Sequence, residues 1–117
     1  MNVNDIPEVK WAEGMNCAVT VCDKEGIVLY QNAKSRDTFA KSGDMRGRSL
    51  IPCHSDRSRE IIADMLATGR SNCYTIEKRG LHKMIYQTPW RDENGDIAGL
   101  VEISMVIPEN MPHYVRG

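Results

Sequence analysis

Near the end of the chain, two runs of strand-forming residues flank Asp92-Glu93-Asn94-Gly95-Asp96, and this pairing limits most strongly what the rest can fold into. Asn-Gly tolerates the positive φ angles of a tight hairpin turn, so the segment 81–107 is predicted to be a long hairpin. After the turn, Ile97, Gly99, Val101, Ile103, Met105 and Ile107 alternate with Asp96, Ala98, Leu100, Glu102, Ser104 and Val106. A period of two over that length means a strand with one face committed to a core. Before the turn, Met84, Tyr86 and Trp90 share one face, and Lys83, Gln87 and Arg91 the other. A lone hairpin is marginal in water, so further strands or a helix must cover its apolar side.

The upstream residues supply those elements. Residues 5–15 read as a short helical arm, with Ile6, Val9 and Trp11 as an imperfect apolar stripe and Pro7 in the first turn. Cys17 to Cys22 reads as a first strand, Asp23-Lys24-Glu25-Gly26 as a turn, and Ile27 to Gln31 as a second strand. Asn32 is placed as the N-cap of a helix running toward Ser42. Asp44 to Pro52 reads as irregular. Ser55 to Thr68 is the clearest helix: Ser55 or Asp56 caps it, Ile61, Ile62, Met65 and Leu66 form its apolar face, and Gly69 stops it. Ser71 to Lys78 reads as a third strand, turned into the final hairpin by Lys78-Arg79-Gly80. Strands and helices in this order predict an α+β domain, an antiparallel sheet with helices on one face.

Composition excludes several classes. With 117 residues, one core is expected. A net charge of −1 gives no field toward nucleic acid or an anionic membrane. No apolar run approaches the roughly 20 residues of a membrane-spanning helix. Met1 to Asp5 has neither the basic nor the apolar part of a secretory signal, so the expected compartment is the cytoplasm. Cys17, Cys22, Cys53 and Cys73 contain no Cys-x-x-Cys pair and read as free buried thiols rather than a metal site or a disulfide scaffold.

The element order, with these residues, resembles a PAS domain over residues 15–108. Four segments carry the resemblance: Cys22 to Ala33 as the opening hairpin and Asn-Ala, Gly47-Arg48-Ser49-Leu50, His54-Ser55-Asp56 before the long helix, and Thr88 to Gly95 followed by Gly99. Ser55 stands where the family usually has Pro, and the common Asp-Ile-Thr ending is replaced by Ser104-Met105-Val106-Ile107. The resemblance implies a five-stranded antiparallel sheet with the first strand beside the last, and a pocket between sheet and helices. It divides the chain into a cap segment (1–14), the PAS-like domain (15–108) and a flexible tail (109–117). It also implies a sensory or regulatory signalling module, not an enzyme. Such a module would act as a homodimer or on a signalling partner protein, with a small-molecule ligand as a further candidate and no nucleic-acid or membrane partner.

The expected ligand pocket is apolar, lined by Ile61, Met65, Leu66, Met84, Tyr86, Val101, Ile103 and Met105. The plainer alternative is a filled core. On that reading Leu100 and Val106 lie on the outer face of the sheet, available for self-association. Cys53-His54 is a second candidate. Either residue could ligate haem iron in a gas or redox sensor, and Cys53 could serve as a nucleophile. A loop histidine beside an inward cysteine is the plainer reading and is preferred. A flavin–cysteine adduct is disfavoured, because the Asn-Cys-Arg of such family members is absent from Gly47 to Cys53. His82 with Lys78, Arg79 and Lys83 reads as a solvated turn.

Overall fold

In a computed structural model of the chain, residues 10–38, 44–50 and 55–117 are described. The elements are α1 (Lys10–Glu13), β1 (Ala18–Asp23), β2 (Val28–Gln31), α2 (Ala33–Thr38), α3 (Asp56–Thr68), β3 (Asn72–Lys78), β4 (Leu81–Arg91) and β5 (Ile97–Val106). The strands form one antiparallel sheet in the order β2-β1-β5-β4-β3. The first strand therefore lies beside the last, as expected: Val19 pairs with Ile103 and Val21 with Val101.

Local chemistry explains the element ends. Ser55 accepts a hydrogen bond from the Ser58 N–H and caps α3, whose other end stops at Gly69 with φ 80°. The two Asp-x-x-Gly turns use the same device. Asp23 Oδ1 accepts from the N–H groups of Glu25 and Ile27, and Asp92 Oδ1 from those of Asn94 and Asp96. In the second turn only Gly95 has positive φ, so Asn94-Gly95 does not form the two-residue turn that its sequence suggests. That turn type falls instead at Arg79-Gly80, where both residues have positive φ and Lys78 pairs with Leu81.

Cross-strand pairs share a face, so the registers sort the sheet into two sides. On one side Cys22 and Leu100 pack with Met65 of α3, beside Leu50, Ile61, Ile62 and Leu66. On the other side Val19 and Tyr30 pack with Ala12 of α1, beside Val21, Val101 and Ile103. This reverses the expected orientation of β5. Val101 and Ile103 face away from α3, and Leu100 faces it; Val106, paired with Lys83, lies on the α3 side as well. Alternation was read correctly, but both sides of β5 carry apolar residues because both are covered. The cysteines also differ from expectation: Cys22 is buried, Cys17 half-buried and Cys73 exposed, while Cys53 lies outside the described residues.

Two residues hold these layers in register. Asn32 is fully buried and uses its side chain four times. Its Oδ1 accepts from Val19 N–H at 2.9 Å and Ser35 N–H at 3.0 Å, and its Nδ2 donates to the carbonyls of Ala12 at 2.9 Å and Cys17 at 2.7 Å. One amide thus caps α2 and fastens α1 to β1. Gly99 permits a close approach: a Cβ there would lie 1.9 Å from Cys22 O. The Trp90 indole N–H donates to that same carbonyl at 3.0 Å.

Four stability outcomes follow. Asn32→Ala removes the side-chain partners of the buried Val19 and Ser35 N–H groups and of the Cys17 carbonyl, while the Ala12 carbonyl keeps the Met15 N–H, and should cost about 3 kcal/mol or more, seen as a lowered denaturant midpoint. Asn32→Asp, which keeps the accepting oxygens and loses the donors, should free α1 while retaining the cap, measurable as faster amide exchange near Ala12. Gly99→Ala should cost about 2–3 kcal/mol by overpacking backbone against backbone; an unchanged Tm would contradict the close approach. Cys22, buried beside Met65, has its thiol pushed up to about 11 by burial, from an ordinary 9.0. A raised acid favours the neutral folded form below pH about 9, and that contribution fades as pH climbs toward 11. Wild type should therefore lose more Tm between pH 8 and pH 10 than Cys22→Ala does.

Candidate functional site

The α3 side of the sheet is unexpectedly polar. Gln31, Thr20, Glu102, Gln87 and Asn72 stand in register, one on each strand from β2 to β3. Five strands thus carry one polar row across the side of the sheet that faces the helices, where burial alone would favour apolar residues.

The row has a closed half and an open half. At the closed end Gln31 is fully buried, donating from Nε2 to Ser35 Oγ at 3.0 Å and accepting from Met45 N–H at 2.6 Å. Thr20 Oγ1 meets Ser35 Oγ at 2.6 Å. These partners satisfy the buried groups, and among the described residues no buried side-chain polar atom lacks a partner. At the open end Asn72 Nδ2 donates to Gln87 Oε1 at 3.0 Å, and Gln87 Nε2 donates to Glu102 Oε1 at 3.0 Å. A carboxylate only accepts, so Glu102 fixes the orientation of both amides.

Above the open half lies a cleft of about 360 Å³. Ile61 and Ile62 of α3 roof it, Arg57 and Ser58 stand at its mouth, and Tyr74, Asn72, Gln87 and Glu102 make the floor. A smaller cavity of about 170 Å³ lies on the other side of Glu102, bordered by Thr20, Thr38, Ile76, Lys83 and Ser104. Glu102 therefore divides two lobes. Burial raises the pKa of the Tyr74 phenol, and the Glu102 carboxylate raises it further, so the phenol stays protonated.

The residues expected to line a pocket are split by this arrangement. Ile61 lines the cleft, and Met65 and Leu66 pack beneath α3 against Leu100 and Cys22. Val101 and Ile103 pack with α1 instead, and Met84, Tyr86 and Met105 share their side through the β4–β5 register. Arg57, Asn72, Tyr74, Gln87 and Glu102 were missed. Gln87 and Glu102 could have been found by asking which strand positions carry polar residues in register, but register is a property of the assembled sheet. Cys53 and His54 lie outside the described residues. His82 sits 3.1 Å from Glu77 at the β3–β4 hairpin, away from the cleft. Among the described residues no group of metal-ligating side chains occurs, and no helix is long and apolar enough to cross a membrane.

A second polar linkage joins α1 to the sheet. Arg36 of α2 pairs with Glu13 of α1, and the Tyr30 hydroxyl donates to the same carboxylate at 3.1 Å. The Arg36 guanidinium, then the Tyr30 hydroxyl, lower the Glu13 pKa against an opposing effect of burial, while burial and Glu13 push Tyr30 up to about 12. Arg36 also donates to Gln31 O at 2.8 Å, next to the closed end of the polar row.

The comparisons agree with this architecture. Among curated proteins, no sequence matches the chain. Solved structures match in fold. The PAS domain of histidine kinase ThkA is 18% identical with a TM-score of 0.61, the match covering 78% of this chain and 99% of that one. The Aer2 receptor from Vibrio cholerae, described as a dual PAS-heme oxygen sensor, is 20% identical with a TM-score of 0.61, covering 83% and 99%. VqmA bound to DPO is 16% identical with a TM-score of 0.67, covering 86% of this chain and 56% of that one. A family model described as the PAS fold matches residues 12–110, nearly the whole described domain, and the chain belongs to the PAS family.

Proposed function

We propose that this PAS domain is a sensory or regulatory signalling module that takes a small polar molecule in the cleft beneath α3 and passes the change to α1. The observation that carries the reading is the open half of the polar row. Core logic would fill this side of the sheet with apolar residues. Glu102, Gln87 and Asn72 instead lie under a cleft of about 360 Å³, within the usual size range of small-molecule sites. Local breaches of core logic of this kind concentrate at functional sites.

The route outward is short. Glu102 is flanked in β5 by Val101 and Ile103, which pack on the opposite side against the cluster containing Ala12. A ligand that draws Glu102 toward α3 shifts those neighbours relative to α1. The Glu13–Arg36–Tyr30 linkage gives α1 a defined resting position from which to move. Output then goes to a second copy of the chain or to a signalling partner across the apolar side carrying Met84, Tyr86 and Met105. VqmA, which shares the fold, is described as bound to DPO. The cleft favours a small polar ligand over haem, because a broad apolar macrocycle gains nothing from a floor of Asn72, Gln87 and Glu102.

The test is native mass spectrometry after incubation with a cell extract passed through a 1 kDa filter. Wild type should carry an added small mass, and Ile62→Trp, which fills the cleft from its roof, should lose it while keeping its circular dichroism spectrum. The same added mass in both proteins would place binding elsewhere, and its absence from both would leave the cleft without a ligand.

A further inference from the structure

The hydrogen-bond polarity of the cleft specifies more than its size. Asn72 and Gln87 are oriented so that their N–H groups run toward Glu102. One N–H of each amide is thereby used within the floor. The Glu102 carboxylate keeps accepting capacity beyond its bond to Gln87, and it is the charged group of the floor. A ligand that meets this carboxylate must bring donors, and it gains most if it brings positive charge.

The mouth has the reverse character. Arg57, in the first turn of α3, lines the same cleft and presents only donors. The ion pairs among the described residues join Arg36 to Glu13, Arg46 to Asp44, Arg70 to Asp64 and His82 to Glu77. Neither Arg57 nor Glu102 belongs to any of them. The cleft thus holds one cation at its mouth and one anion on its floor, each without an ionic partner among the described residues. Between them Ile61 and Ile62 offer apolar contact.

From this we infer that the cleft is built for a small zwitterion of the α-amino acid class, its ammonium on Glu102 and Asn72, its carboxylate on Arg57, and an aliphatic side chain against Ile61 and Ile62. This inference rests on the cleft being a ligand site. A simple amine meets Arg57 and, in the adjoining lobe, Lys83, both of its own sign. A simple carboxylate meets Glu102. Only a molecule carrying both charges answers the two ends at once, and a cleft of about 360 Å³ suits something of leucine's size.

The experiment is an NMR and calorimetric titration of the intact chain with L-α-amino acids. Alongside them go 3-methylbutylamine and 4-methylpentanoate, which are leucine without its carboxylate and without its amine, and a library of neutral heterocyclic fragments. At least one amino acid should bind with shifts centred on Arg57, Ile61, Gln87 and Glu102. Both single-charge analogues should bind more than tenfold more weakly. Glu102→Gln and Arg57→Ala should each weaken the amino acid more than tenfold; Arg57 is exposed, so its variant keeps the fold. Equal binding by either single-charge analogue overturns the zwitterion assignment. If only neutral fragments shift the cleft residues, the assignment fails and the ligand site stands. If no probe shifts them, both fail together.

Discussion

The fold turns on the side chain of Asn32. Its carboxamide satisfies the backbone where β2 ends, α2 begins and α1 meets β1. Three segments bring N–H and carbonyl groups to that point, most of them buried. One carboxamide supplies two accepting and two donating directions and meets Val19, Ser35, Ala12 and Cys17. Aspartate has no donor and serine is too short, so the position demands an amide. Because the bonds from Val19 and Ser35 are shielded from water, losing the oxygen they share leaves two N–H groups that no solvent molecule repairs.

That clamp makes β5 a shared wall. With α1 held on one side by Asn32 and α3 packed on the other through Met65, the strand is packed from both sides. Leu100 belongs to one core cluster and Val101 to the border of the other. A displacement of the strand is therefore felt on both sides, which is the property a sensor needs. Partly solvated ion pairs such as Glu13 with Arg36 add little energy. Their part is geometric, since they fix where α1 rests.

The polar row gives the site its character and also explains why it was hard to foresee. Glu102 and Ser104 made the even-numbered side of β5 look like the solvent side, and Val101, Ile103 and Met105 made the other look like the core. Single-strand patterning assigns the more apolar side inward. Here the apolar side faces α1 and the more polar side faces α3. Residues such as Leu100 and Met65 close the core around the row, and Gln31, Thr20 and Ser35 neutralise its buried half by bonding to one another. The candidate site consists of polar residues left open where that closure stops.

The sequence by itself determined the elements and much of their order. The caps of α3 at Ser55 and Gly69, the Asp-x-x-Gly turns and the period-two strands are local, because each depends on residues a few positions apart. The resemblance carried by short segments such as Asn32-Ala33 and Thr88 to Gly95 led to the sheet order. Only the tertiary structure decided which side of β5 meets α3, where the tight two-residue turn falls, and that Gln31, Thr20, Glu102, Gln87 and Asn72 stand in line. Those residues are spread from position 20 to position 102, and their alignment depends on four strand registers at once. Register is set by the packing of whole faces against α1 and α3, and no local run of residues encodes that.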